Sequence, residues 1–137
     1  MTAHRALILV LRFSGVVLLL AFAAVLLPAH WMAATHEWIG MGTFPRSPVV
    51  DYLARSSAAL YGFHGVLILL IAGEPDRYHR IVRYLGLMDI AFGLMILAID
   101  LHAGMPWLWT LVEGPSLVMM GVLVLFLQSR AARGARR

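Results

Sequence analysis

The sequence contains no cysteine and no lysine, and it carries little charge of either sign. Without cysteine, disulfide bonds, thiol catalysis and thiolate metal sites are excluded together. Only 13% of the 137 residues are charged whereas 61% are hydrophobic, a balance that ordinary soluble domains do not show. The composition therefore predicts an integral membrane protein.

Four apolar runs are long enough to cross a bilayer, because a spanning helix needs about 20 predominantly apolar residues. We predict an all-α fold, an up-down four-helix membrane bundle that forms a single domain over residues 1–137. The predicted spans are residues 6–27, 50–73, 84–103 and 108–128. A secretory signal peptide is the alternative for the first run, but bulky residues after Pro28 occupy the place of a small-residue cleavage site. We therefore expect this span to be retained.

The segment 28–49 joins the first two spans and is too polar to cross the membrane itself. Trp31 and Trp38 alternate with histidines in it, which is typical of a short helix lying in the head-group plane. Ser47 followed by Pro48 predicts where the second span begins, since serine caps helices and proline favours their first position.

The arginines predict the orientation of the chain. With both termini cytoplasmic, nine arginines lie on the cytoplasmic side, and only Arg46 and Arg55 lie toward the other. Residues 129–137 then form a cytoplasmic tail and residues 28–49 an external interfacial segment. Because the basic charge lies beside the spans, we expect it to contact lipid head groups and not nucleic acid.

Ionisable residues inside the spans predict an outer polar layer. The second and third spans form an antiparallel hairpin, so residues equidistant from its loop should lie at one depth. This places Arg55 beside Asp100, and Glu113 of the fourth span lies level with both. The candidate ligand-binding residues are Arg55, Asp100, Glu113, His102 and Tyr52. One acid of this layer has no basic partner, and such an acid binds a proton or a cation.

The same numbering predicts an inner polar layer, with His64 beside Asp89 and Arg12 at a similar depth. Its members are Arg12, His64, Asp89, Tyr61 and Ser57. A charge at the centre of a spanning helix is unfavourable by about 2.5–3.5 kcal/mol, so these groups should face the interior and pair. Two interpretations of both layers remain open: interhelical ion pairs that fix the register of the helices, or a ligand or proton site.

The histidines predict no metal site and no cofactor. A haem held between helices needs two histidines at one depth, and only His64 lies deep. His30 and His36 lack the spacing that would place them on one helical face. No nucleotide-binding, metalloprotease or serine-hydrolase motif occurs in the chain.

Four spans, a charged cytoplasmic hairpin loop and the segment from Arg55 to Tyr61-Gly62 resemble small bacterial membrane proteins of the DoxX-like group. The resemblance implies a multi-pass protein of the bacterial inner membrane. Some members of that broad group are associated with quinone or redox partners. The resemblance transfers no functional residue to this chain.

These observations favour a non-catalytic accessory or ligand-sensing subunit. The alternative is a membrane enzyme or carrier that acts on a lipid-like or quinone-like molecule near Arg55, Asp100 and Glu113. Homo- and hetero-oligomers both remain open, and the small-residue face of Ala58 and Gly62 is a candidate contact for a neighbouring chain.

Overall fold

The computed structural model describes residues 2–134, which form helices and turns with no strand among them. The predicted all-α class is confirmed. The helices are α1 (Ala3–Leu19), α2 (Phe22–Leu26), α3 (Ala29–Trp38), α4 (Pro48–Gly73), α5 (His79–Ala103) and α6 (Trp107–Gly134).

Four helical stretches are long and apolar enough to cross a membrane: α1 with α2 over Ala3–Leu26, and then α4, α5 and α6. Between 11% and 33% of the residues in the apolar window of each stretch are buried. Most of the apolar surface therefore faces outward, as expected for helices that contact lipid.

Two helices extend beyond the predicted spans. The turn after α4 is short, so α5 begins at His79, before the predicted span 84–103. The α6 helix continues to Gly134, so the predicted tail 129–137 is helical as far as that residue, and residues 135–137 lie outside the described part.

The ends of the helices follow local sequence signals. The α4 helix begins at Pro48, and the Val50 amide donates to Ser47 Oγ at 3.2 Å, which confirms the predicted helix start. The turn after α3 contains Gly40 and Gly42 at φ of 84° and 79°, and glycine adopts such values at little cost. Gly104 ends α5 in the left-handed conformation.

The chain divides into two compact units. The hairpin unit contains α5, α6 and, within the described part, residues 2–12 and 70–78. The α4 unit is Phe13–Leu69.

In the hairpin unit, α5 and α6 pack backbone to backbone through four glycines. Gly86 faces Gly121, and Gly93 faces Gly114. A Cβ atom added to Gly121 would overlap the Gly86 carbonyl oxygen, so no side chain separates the helices at this point. Small residues permit such close approach between membrane helices, where dispersion contacts replace the hydrophobic effect.

In the α4 unit, Gly65 of α4 packs on Gly15 of α1, and a Cβ added to Gly65 would lie 2.6 Å from the Gly15 carbonyl oxygen. The ring of Phe22 covers Gly62 and meets Phe63 edge to face at 5.1 Å. Gly62 therefore packs within its own chain and does not form the free surface that we considered for a neighbouring chain.

Candidate functional site

Arg55 of α4 is bound within its own unit. Its Nε donates to both carboxylate oxygens of Asp51, at 3.1 and 3.0 Å, and Asp51 lies one helical turn earlier. Its two terminal nitrogens donate to the carbonyl oxygens of Val25 and Leu27. These carbonyls lie at the end of the first span, where α2 ends at Leu26 and Leu27 is extended, and the last carbonyls of a helix have no donor within the helix. Arg55 supplies these donors and neutralises the negative end of that helix.

A cavity of about 450 Å³ lies beside this arginine. Its lining includes His30, Phe44, Arg46, Asp51 and Arg55. Because the Arg55 guanidinium already binds a carboxylate and two carbonyls, its primary role is to hold the end of the first span. Tyr52, which we predicted as a ligand-binding residue near it, is 68% exposed.

Asp100 is the least exposed acidic residue of the described part of the chain. Its side chain belongs to a residue only 5% exposed, and its Oδ2 has no hydrogen-bond partner within residues 2–134. The turn of the hairpin holds it there, because the Gly104 and Met105 amides donate to the Asp100 carbonyl. The backbone of Asp100 is therefore fixed, and one carboxylate oxygen is buried without a hydrogen-bond partner among the described residues.

The heptad spacing of the glycines explains why Asp100 is buried. Gly86, Gly93 and Asp100 follow one another at intervals of seven, so they lie on the same face of α5. The first two positions touch the α6 backbone. Asp100 occupies the third position of this stripe, which directs its side chain toward the α6 side of the hairpin.

Two residues of α6 complete the polar part of this site. Thr110 is 8% exposed, and its hydroxyl donates to the Pro106 carbonyl at 3.4 Å. The half-buried Glu113 carboxylate forms a hydrogen bond with the Trp109 side chain and interacts electrostatically with Asp100. The charges of Asp100 and Glu113 therefore interact between facing helices, although the register of the glycines places Glu113 about 9 Å further from the hairpin turn.

A cavity of about 380 Å³ opens at Asp100. Its other walls are mostly apolar and include Leu101, Met105, Trp107 and Leu111. Leu111 is the residue whose carbonyl loses its helical donor to Pro115, which lies inside α6. A carboxylate and a hydroxyl in an otherwise apolar cleft form a polar site, which we name the Asp100 cavity.

The remaining predicted site residues differ in how far they are exposed to solvent. His102 is exposed, and so is Arg12, which we had expected to face the interior. Asp89 is half-buried in α5. The predicted pairs that join the two units, Arg55 with Asp100 and His64 with Asp89, stay predictions.

In the α4 unit, His64 is half-buried, whereas Ser57 and Tyr61 are exposed. Among residues 2–134, no group of three or more histidine, aspartate or glutamate side chains is arranged to hold a metal ion.

Sequence reasoning missed Thr110, Trp109 and the glycine stripe. The signal for the stripe was present, since Gly86 and Gly93 on α5 and Gly114 and Gly121 on α6 both recur at seven residues.

No family model, curated protein or solved structure matches this chain.

Proposed function

We propose that this protein is a small multi-pass membrane protein with a non-catalytic, ligand-sensing or accessory role. Its ligand is an amphiphile with a cationic or hydrogen-bond-donating head, which binds in the Asp100 cavity. The observation that carries this proposal is the buried Asp100 Oδ2, which no donor reaches among the described residues. Buried polar atoms are nearly always paired, so an orphaned carboxylate oxygen needs a functional explanation.

The walls of the cavity support an amphiphilic ligand. Leu101, Met105 and Leu111 line it and suit an apolar body, while Trp107 suits the membrane–water interface, where its apolar ring is partly wet. The Glu113 carboxylate interacts electrostatically with Asp100, and this additional negative charge favours a cationic head. Intramembrane ionisable groups commonly mark ligand or ion sites.

The hydrogen bonds of Arg55 support a division of roles between the polar residues. Asp51 and two carbonyls occupy its guanidinium, as expected for a structural clamp. Asp100 shows the opposite pattern, burial without a partner. A purely structural acid at this depth would be paired, because pairing offsets the loss of hydration.

The proposal is tested with a simple amine as the probe. Purified protein in dodecyl maltoside is heated with octylamine, and octanol serves as a neutral amphiphile of equal chain length. We expect octylamine to raise the unfolding temperature of the parent and of Asp76→Asn, but not of Asp100→Asn. Asp76 is a matched control because its side chain is 82% exposed. Equal effects of octylamine on all three proteins would refute the Asp100 site.

A second candidate is a membrane enzyme or carrier acting on a lipid-like or quinone-like molecule at the same place. The buried Asp100 Oδ2 supports it, because a carboxylate oxygen without a donor can accept a hydrogen bond from a neutral ligand as well as from a cation. A hydroquinone hydroxyl could donate to Asp100 Oδ2 without any charge. Stabilisation by decyl-hydroquinone, lost in Asp100→Asn and absent with octylamine, would favour this candidate.

We also infer a bacterial inner-membrane location with both termini in the cytoplasm. The arginine bias supports the orientation, and the resemblance to DoxX-like proteins supports the location. Four spanning helices would place the two ends on one side of the membrane.

A further inference from the structure

A groove of about 710 Å³ runs between the start of α5 and the end of α6. Its lining includes Arg80, Arg83 and Leu87 from α5, and Leu125 and Gln128 from α6. The Asp100 cavity lies at the opposite end of the same two helices. The groove is therefore a separate feature with the opposite charge.

The two arginines of the groove have no acidic partner. Arg80 and Arg83 are exposed, and among residues 2–134 no carboxylate lies within 4.0 Å of either guanidinium. Arg77, only three residues earlier, pairs with Glu74 at 3.4 Å. Two free guanidinium groups one helical turn apart can both bind a single phosphate, for which the planar guanidinium is well suited.

The polarity of the groove changes with depth along α5. Arg80, Arg83 and Leu87 recur at helical spacing on one side of the helix. The helix has 25 residues and is about 37 Å long, somewhat more than the hydrocarbon thickness of about 30 Å. The arginines near its start therefore lie at head-group depth, and Leu87 lies within the acyl region.

Hydrogen bonds at this end of the helices hold the walls of the groove. The Gln128 side-chain amide donates to the His79 carbonyl and so ties α6 to the first residue of α5. Arg133 donates to the Ser129 carbonyl and hydroxyl at 3.3 Å, which orders the last turns of α6. The groove is thus preformed, and binding requires little ordering of the protein.

We propose that this groove binds an anionic phospholipid from the leaflet on that side of the membrane. Arg80 and Arg83 bind the phosphate, and an acyl chain lies along Leu87 and Leu125. Basic pockets between membrane helices recognise anionic head groups in this way. A soluble phosphate would use the arginines but leave the apolar half of the groove without a ligand.

Native mass spectrometry of the full chain in dodecyl maltoside tests the proposal, with phosphatidylglycerol and phosphatidylcholine of identical acyl chains as probes. We expect the parent to prefer phosphatidylglycerol by about 25-fold, roughly fivefold for each arginine. The variant Arg80→Gln/Arg83→Gln should lose this preference. The control Arg5→Gln/Arg77→Gln removes the same charge outside the groove and should keep it. An equal loss in both variants would show diffuse charge attraction and overturn the site.

A second measurement leaves the arginines in place. Because the sequence has no cysteine, Ala132→Cys introduces a unique thiol for a fluorophore at the groove. In phosphatidylcholine vesicles, a small fraction of brominated phosphatidylglycerol should quench the label more than the same fraction of brominated phosphatidylcholine. Equal quenching by both lipids would overturn the proposal. If inorganic phosphate at the same concentration as the lipid abolished this difference in quenching, the groove would be a site for soluble anions. The lipid assignment would then be overturned.

Discussion

Gly93 and Gly114 meet backbone to backbone at the centre of the α5–α6 hairpin. A Cβ atom added to Gly93 would lie 2.6 Å from the Gly114 carbonyl oxygen, and one added to Gly114 would lie 2.7 Å from the Gly93 carbonyl oxygen. Both obstacles are backbone atoms, which cannot rotate away as a side chain can. The close packing of the two helices, and with it the position of Asp100 one heptad later, therefore depends on glycine at both positions.

We expect Gly93→Ala to destabilise the protein by about 1–3 kcal/mol, because the added methyl group forces α5 and α6 apart. The measurement is thermal unfolding in dodecyl maltoside, followed by circular dichroism. Gly73→Ala is the control, since nothing lies within 4 Å of a Cβ atom at that helical glycine. If the unfolding temperature fell by the same small amount in both variants, the close packing of α5 on α6 at Gly93 would not contribute to stability, and the prediction would be wrong.

The positions and ends of the helices could be predicted from the sequence because they depend on local signals. Apolar runs indicate the spans, Ser47 caps α4 as expected, and Gly104 ends α5 with a positive φ. These inferences needed only chain length and capping chemistry. Matching depths also predicted Asp100 and Glu113 at one level, but the register of the facing glycines places Glu113 opposite Leu94, about 9 Å along the helix axes from Asp100.

The directions of individual side chains were harder to predict, because depth says nothing about rotation around a helix axis. Arg12 was assigned the right helix, but its side chain is exposed and not directed inward. Arg55 binds Asp51, four residues earlier, a spacing that favours pairing on one helical face. Its other partners are the carbonyls of Val25 and Leu27 at the end of the first span. A backbone carbonyl without a donor cannot be predicted from the pattern of side chains in the sequence.

We expect Arg55→Lys to destabilise the protein by about 1.5–3 kcal/mol, although the charge is kept. A single ammonium group cannot reach the Asp51 carboxylate and the carbonyls of Val25 and Leu27 with the geometry of the guanidinium. Chemical denaturation in mixed micelles measures the change. Arg46→Lys is the matched control because Arg46 is exposed. Identical stability of the two variants would show that these hydrogen bonds contribute nothing.

The topology gives a prediction that does not depend on side-chain detail. If all four candidate spans cross the membrane, tags at the two termini should react from the same side. The arginine bias predicts that this side is the cytoplasm. A thiol introduced at Gly42, in the turn after α3, should react with an impermeant reagent from the opposite side. Termini on opposite sides would eliminate the four-span arrangement.

The two possible roles of Asp100 predict opposite changes in the stability of the ligand-free protein when its charge is removed. If Asp100 served only to hold helices together, removing its charge would weaken the protein. Its Oδ2 is buried and has no partner among the described residues, so the ligand-free protein gains no hydrogen bond from that oxygen and still loses its hydration.

We therefore expect Asp100→Leu to stabilise the ligand-free protein in detergent by about 1–3 kcal/mol, the usual penalty for a buried polar group without a partner. Thr110→Val is the matched control in the same cavity: its hydroxyl donates to the Pro106 carbonyl, so this change should be neutral or destabilising. Chemical denaturation compares the variants with the parent, and octylamine is then added to each. If Asp100 forms part of a ligand site, octylamine should reduce the difference in stability between the parent and Asp100→Leu. It should stabilise the parent and leave Asp100→Leu unchanged, because binding stabilises only the form that binds. Loss of stability in Asp100→Leu would assign this acid a structural partner and remove the basis for the ligand site.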